Sequence, residues 1–211
     1  MSLAGFTELN HPLIKSYLTV IRDKKTGAKD FSDYVERLAI LLACETSRFL
    51  RTGRKKIDTP LESFNGYEII DEIVLLPILR AGLGLVTGFQ KVFVNAKTGH
   101  IGIFRNESTL EPVSYYYKFP AVKEKKNAAV FILDPMLATG GSVNYAISVL
   151  KKSGIKRIIV CSLVSAPYGI NNVLKKNRGI KIVTCALDRK LNSKGFIIPG
   201  LGDAGDRLFG T

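Results

Sequence analysis

The sequence predicts an α/β fold with a mostly parallel central sheet flanked by helices. Short β-branched, apolar runs alternate with helical segments from residue 72 to residue 187. Those runs lack the in–out alternation of half-exposed strands, so both of their faces are covered. Glycines and prolines punctuate the joints between segments.

In chain order, residues 12–28 mix apolar and basic residues and read as a helical arm. From Phe31 to about Phe49 a second helix is predicted. Phe31, Tyr34, Val35, Leu38, Leu41 and Leu42 follow its 3.6-residue period. Gly53 fits a stop just past its end. After a polar linker, Glu72–Leu79 reads as a buried strand and Leu83–Val94 as a helix. His100–Phe104 is a short strand and Ala128–Leu133 a buried one. Ser142–Lys152 is a helix capped by Gly154, Arg157–Val164 a strand, Pro167–Lys176 a helix and Ile180–Leu187 a strand. Sheets of this kind bind ligands beyond the carboxyl ends of their strands. The places to look are therefore just after Leu79, Phe104, Leu133 and Leu187.

The chain has 211 residues, 46% hydrophobic and 23% charged, an ordinary globular balance able to bury a full core. No apolar run reaches the roughly 20 residues that span a bilayer, and no secretory signal is visible, so a cytoplasmic protein is expected. Cys44, Cys161 and Cys185 show no Cys-x-x-Cys spacing and are expected to be buried reduced thiols. With His11 and His100 as the only histidines, they build no zinc site. Lysines and arginines number 31 against 18 acids, for a net +13. The basic residues are scattered over many short clusters, which suits a solvated surface and makes a nucleic-acid partner an outside reading.

The segment after Leu133 carries the most chemistry. Asp134 follows the strand directly, and Pro135 delays the helix. Ala138-Thr139-Gly140-Gly141-Ser142 is small and hydroxylated. Glycines admit an anion to backbone N–H groups, and the helix start adds positive potential. Thr139 and Ser142 can donate, and the two oxygens of Asp134 match a ribose diol. An ordinary βα turn with Ser142 as helix cap fits the same residues. No P-loop pattern is present. Gly200-Leu-Gly202-Asp-Ala-Gly205 spells Gly-x-Gly-x-x-Gly but has no room for a βαβ unit after it.

Four stretches together resemble the uracil phosphoribosyltransferases. Ile132–Ser142 is similar to that family's phosphoribosyl-pyrophosphate (PRPP) loop. Pro77-Ile-Leu-Arg80-Ala-Gly-Leu-Gly84 is similar to its pyrophosphate loop, and Arg105–Pro112 to the start of its mobile loop. Gly195–Arg207 is similar to its uracil-binding hood. The match runs in order from about residue 8 to the last residue. Where many relatives of the wider type I class carry two adjacent acids, Pro135 takes the second place, so a purine or orotate enzyme is disfavoured.

The resemblance implies a type I phosphoribosyltransferase-like fold. It comprises a helical arm (about 1–55), a core (about 65–187) and a small C-terminal hood (about 188–211). It implies the reaction of uracil with PRPP to give UMP and pyrophosphate. Arg80, Arg105 and Asp203 would be the catalytic residues. PRPP would lie against Arg80, Arg105, Asp134, Pro135, Met136, Leu137, Ala138, Thr139, Gly140, Gly141, Ser142 and Asp203. Uracil would be held by Ile197, Gly202, Asp203 and Ala204. Magnesium would arrive on PRPP, with no protein ligand assigned. A homo-oligomer, dimer or larger, is implied as well. Residues 107–121, with Pro112, Pro120 and Tyr115–Tyr117, are expected to form a loop that closes over PRPP. A hairpin edge or a subunit contact suits those tyrosines equally. An RNA-binding regulator built on the same core is the alternative from another class.

Overall fold

A computed structural model describes residues 4–105 and 112–211, with backbone alone at Arg105 and Pro112. The chain opens with β1 (Phe6–Glu8), α1 (Pro12–Arg22) and α2 (Ala28–Thr46), then a 3-10 turn at Ser47–Phe49. Proline suits the first turn of α1, where its missing N–H would go unused. His11 caps that turn, its Nδ1 accepting from the Leu13 N–H at 3.2 Å. The helical arm is thus two helices, broken at Asp23–Gly27.

The expected polar linker is a hairpin instead. β2 (Thr52–Asp58) pairs antiparallel with β3 (Ser63–Ile69), and Gly53 lies inside β2 rather than stopping a helix. The core follows as β4 (Ile73–Leu79), α3 (Leu83–Val92), β5 (Lys97–Thr98), β6 (His100–Arg105), β7 (Pro112–Lys118) and β8 (Ala129–Leu133). Next come β9 (Met136–Leu137), α4 (Gly141–Lys152), β10 (Arg157–Ser165), α5 (Pro167–Lys176) and β11 (Lys181–Leu187). The short pieces β12 (Lys190–Leu191), β13 (Ile197–Ile198) and α6 (Ala204–Phe209) end it.

The main sheet runs β1-β11-β10-β8-β4-β6-β7, with β5 beside β4 and β9 beside β10. Every pairing in it is parallel except β6 with β7. Tyr115–Tyr117 therefore belong to an antiparallel edge strand, one of the two places expected for them, and residues 106–111 lie outside the described part. Helices cover both faces. α1, α2 and α3 share one apolar core with the hood residues Ile197, Leu201 and Ala204. α4 and α5 cover the other. On the α3 side, Phe131 lies 6.1 Å from Phe89 and 5.1 Å from Phe93, ring centre to ring centre. Burying each such ring contributes roughly 1.5–3 kcal/mol.

One ion cluster fastens the hairpin base to the sheet. The buried Asp71 carboxylate accepts from Arg51 Nε at 2.7 Å and from Arg157, whose other amino group reaches the Phe49 carbonyl at 2.8 Å. Burial alone would raise the Asp71 pKa, but the hydrogen bonds from Arg157 and Arg51 outweigh it and hold the carboxyl below its usual range.

Cys161 and Cys185 are buried, as expected, and burial pushes the Cys185 thiol up to about 12. Cys44 is exposed, against expectation. Leu42, Ala43 and Thr46 take the inward stripe of α2, and Cys44 falls on its outer face. No described helix is long and apolar enough to cross a membrane.

Candidate active site

Three chain turns meet at the carboxyl ends of β4 and β8. After β4 the chain passes a cis Leu79–Arg80 bond and turns through Ala81-Gly82 into α3. The Gly82 N–H donates to the Ile78 carbonyl at 2.9 Å, folding the turn back on its own strand.

After β8 the Asp134 N–H donates to the Cys161 carbonyl at 3.1 Å, and the Pro135 carbonyl accepts from the Leu163 and Val164 N–H groups. The register of β8 on β10 is kept through to β9, since Leu133 faces Cys161 and Met136 faces Val164. Asp134 is thus held rigidly at the strand end. Burial pushes its carboxyl up to about 7, against the opposing effect of the Met136 N–H. The alternative reading of this turn, with Ser142 as the helix cap, is not what forms. Gly140 takes the cap position with φ 77° and brings no side chain of its own, and α4 begins at Gly141. The Gly141 N–H donates to Thr139 Oγ1 at 3.4 Å, so the glycine turn and the helix start are joined through that hydroxyl.

The third turn is the hood. β12 and β13 pair, a cis Ile198–Pro199 bond follows, and Gly200 and Gly202 have φ of 63° and 83°. The Asp203 carboxylate caps α6, accepting from the Asp206 N–H at 3.0 Å. Asp206 in turn holds Arg80 Nη2 at 3.0 Å, and the Arg80 guanidinium lies 5.9 Å from the Phe209 ring centre. The hood and the turn after β4 are tied together by that pair.

Between the three turns lies a cavity of about 210 Å³, lined by Ala81, Met136, Ala138, Gly195–Ile197 and Gly202–Gly205. It brings together expected residues from the PRPP loop and the hood: Met136, Ala138, Ile197, Gly202, Asp203 and Ala204. Arg80 reaches its rim through Asp206. Arg105 ends β6, and its side chain lies outside the described part. A larger concavity of about 710 Å³ sits at the opposite end of β4. Its three carboxylates already have partners: Asp71 in the cluster above, Glu68 with Lys55 at 2.8 Å, and Glu72 with Lys97 at 2.5 Å and the Lys123 N–H at 2.7 Å. The smaller cavity is where the turns after β4 and β8 meet the hood.

Sequence reading alone does not find three residues. Asp206 holds Arg80. Asn172 of α5 donates to the Thr139 carbonyl at 2.8 Å and steadies the glycine turn from behind. Ser162 stands opposite Asp134 in the continued register of β10 on β8, and its buried hydroxyl has no hydrogen-bond partner. No signal marks Asn172 or Ser162 in sequence. Asp206 could have been flagged only as the first-turn acid after the Asp203 cap.

Known structures define the class. The chain shares its fold with an adenine phosphoribosyl transferase from Trypanosoma brucei, at a TM-score of 0.59 and 14% identity over 89% of this chain and 87% of the other. A protein from Aquifex aeolicus superposes far more closely, with a TM-score of 0.90 and 38% identity over 97% of each chain. The fold is that of the phosphoribosyltransferases. The model of the uracil phosphoribosyltransferase family matches residues 8–211. A uracil phosphoribosyltransferase from Thermosipho melanesiensis is 48% identical over 204 residues, 96% of this chain and 97% of its own. One from Clostridium kluyveri is 46% identical over 210 residues, 99% and 100% of the two chains. The chain belongs to the uracil phosphoribosyltransferase family.

Proposed function

We propose that the chain joins uracil to the ribose of PRPP, yielding UMP and pyrophosphate, as one cytoplasmic unit of arm, core and hood. The observation that carries this is the cavity whose wall is shared by the phosphate turn, the turn after β4 and the hood. A base held by the hood there lies beside a ribose held at Asp134.

In the reaction the bond from the anomeric carbon to pyrophosphate breaks with its electron pair, uracil N1 bonds to that carbon, and the N1 proton is lost. The ribose ring becomes positive and the leaving group negative. The Asp134 carboxylate accepts the ribose hydroxyls. Thr139, Ser142 and the first-turn N–H groups of α4 hold the 5′-phosphate. Arg80 exchanges Asp206 for the departing pyrophosphate, and Arg105 at the end of β6 joins it. Among the described residues no group of three or more His, Cys, Asp or Glu side chains forms a metal cage. Mg²⁺ keeps several waters and takes one or two carboxylates plus phosphate oxygens. Asp203 is the carboxylate on the cavity wall that would face it. Magnesium would supply charge neutralisation on the pyrophosphate oxygens.

Uracil alternates N–H and C=O groups, and the backbone of Ile197 and Gly202–Ala204 answers them. Cytosine reverses part of that pattern and leaves buried groups unpaired, which disfavours it by about 10⁴. No histidine lines the cavity, so positioning and electrostatics dominate the chemistry. Incubation with PRPP and magnesium, and with uracil, cytosine, hypoxanthine or orotate in turn, should yield nucleotide from uracil alone. Equal turnover of a second base would overturn the reading.

The working form is a homo-oligomer. The β2–β3 hairpin exposes Ile57, Phe64, Tyr67 and Ile69, each at least 45% accessible, and Leu61 at 95%. A lone two-stranded hairpin is marginal in water, so these side chains need a partner surface. Sedimentation of Phe64→Asp with Tyr67→Asp should show a smaller species than the native chain. An unchanged mass would remove the hairpin from the interface.

A further inference from the structure

The hood that forms the base side of the cavity is not held by its own short elements. β12 and β13 contribute two residues each and α6 six. What grips its middle is the end of α1, more than 160 residues earlier in the chain.

The Arg22 guanidinium makes a forked pair with the Asp188 carboxylate, at 2.7 and 2.8 Å. Both partners also hold Gly200. Its N–H donates to Asp188 Oδ2 at 2.8 Å, and its carbonyl accepts from Arg22 Nη1 at 2.7 Å. Thus the one ion pair fixes both polar groups of one residue. That residue is in the left-handed region at φ 63°, and a Cβ on it would lie 2.2 Å from the Ile197 carbonyl oxygen. Arg207 grips the same turn from the other side. It donates to the carbonyls of Leu201 at 2.8 Å, of Asp23 at 2.7 Å and of Ile21, and its guanidinium sits 4.3 Å from the Phe31 ring centre. Gly200-Leu201 lies between Ile197 and Gly202–Ala204, the two stretches on the cavity wall. Neither Arg22, Asp188 nor Arg207 lines the cavity itself.

We infer that the Arg22–Asp188 pair is a positioning unit for the base: it sets the spacing between Ile197 and Gly202–Ala204 and so governs affinity for the pyrimidine. This rests on the reading of the cavity as a uracil site. The pair is well built for the task. Asp188 is 6% exposed and Arg22 23%, so water competes little for either. A guanidinium can bridge both carboxylate oxygens and a carbonyl at once, and a lysine ammonium cannot hold that planar fork. The PRPP side of the site, at Asp134 and Arg80, makes no contact with the pair. Loss of the pair should therefore act chiefly on uracil, since Asp203 is the one residue of the stretch it sets that also faces the PRPP side.

The test uses the full chain as Asp188→Asn and, as the gentler change, Arg22→Lys. Initial rates are measured with uracil and PRPP varied separately. Amide hydrogen exchange is followed at Gly200–Ala204 and, as the internal reference, at β8 and β10. The expected result is a rise of about tenfold or more in KM for uracil in Asp188→Asn, a smaller rise in Arg22→Lys, and a KM for PRPP within twofold of native. Exchange at Gly200 and Gly202 should quicken while β8 and β10 stay protected. A KM for uracil that does not move, or that rises in step with the KM for PRPP, would overturn the inference. Native enzyme that fails to turn over uracil would instead defeat the functional reading. The exchange arm still decides in that case: hood amides as protected in Asp188→Asn as in the native chain would sink the positioning role by themselves.

Discussion

Asp134→Asn should lower kcat/KM for PRPP by about a hundredfold, the scale of losing a charge-assisted acceptor at a reacting centre. The amide keeps the shape of the side chain and the Asp134 N–H bond to Cys161, so the fold stays. It loses one of the two oxygens proposed to accept the ribose hydroxyls and all of the negative charge. The same substitution should change two pH dependences. In the empty site burial raises the Asp134 carboxyl to about 7 from its ordinary 3.8. Between those values the folded chain binds a proton that the unfolded chain has released. The raised pKa therefore adds stability that is complete below about pH 4 and is lost as pH rises through 7. Native enzyme should lose thermal stability between pH 5 and pH 8 relative to Asp134→Asn, which carries no such proton. Its KM for PRPP should fall over the upper part of that range, because the diol needs the carboxylate. Parallel pH profiles for the two proteins in both measurements would refute this account of Asp134.

Gly82→Ala should be among the most damaging single methyl groups in the chain. A Cβ there would lie 2.4 Å from the Leu133 carbonyl oxygen and 2.6 and 2.7 Å from the Ile78 backbone N and O. All three are backbone atoms of β4 and β8, so no side chain can swing aside. Overpacking of this kind costs about 3 kcal/mol or more. For a chain of this size that is roughly a 10 °C fall in thermal midpoint. Activity should fall further than stability does, because the methyl pushes apart the ends of the two strands that carry Arg80 and Asp134. A midpoint within about 2 °C of native would show that these strand ends can separate freely.

The sheet was legible because its strands are buried on both faces. Ile73–Leu79, Ala129–Leu133 and Arg157–Ser165 read as apolar runs whatever packs on them. The glycine turn after Leu133 was legible for a related reason: a strand end, an acid and a helix start lie within nine residues. The β2–β3 hairpin was not, since nearly every residue in it is exposed and carries neither period. Gly53 after a helical run looked like a stop signal and was a strand residue. The hood elements are two to six residues long, below any period. They were found by resemblance rather than by physics. What no local pattern reveals is pairing at a distance. Arg80 meets Asp206 across 126 positions, and Arg22 meets Asp188 across 166. Ser162 is one more residue of an apolar strand until β8 is laid beside it.

The pairing of β1 with β11 sets an order on biogenesis. Phe6–Glu8 leave the ribosome long before their ladder partners, Ile182–Thr184. One edge of the sheet therefore stays raw through most of synthesis, while β4 and β8 already have each other. The end of α1 waits longer still, until Gly200 emerges. Such a nascent chain closes the strands that carry Arg80 and Asp134 before it seats the C-terminal turns, and β1, made before every other strand of the sheet, is among the last seated.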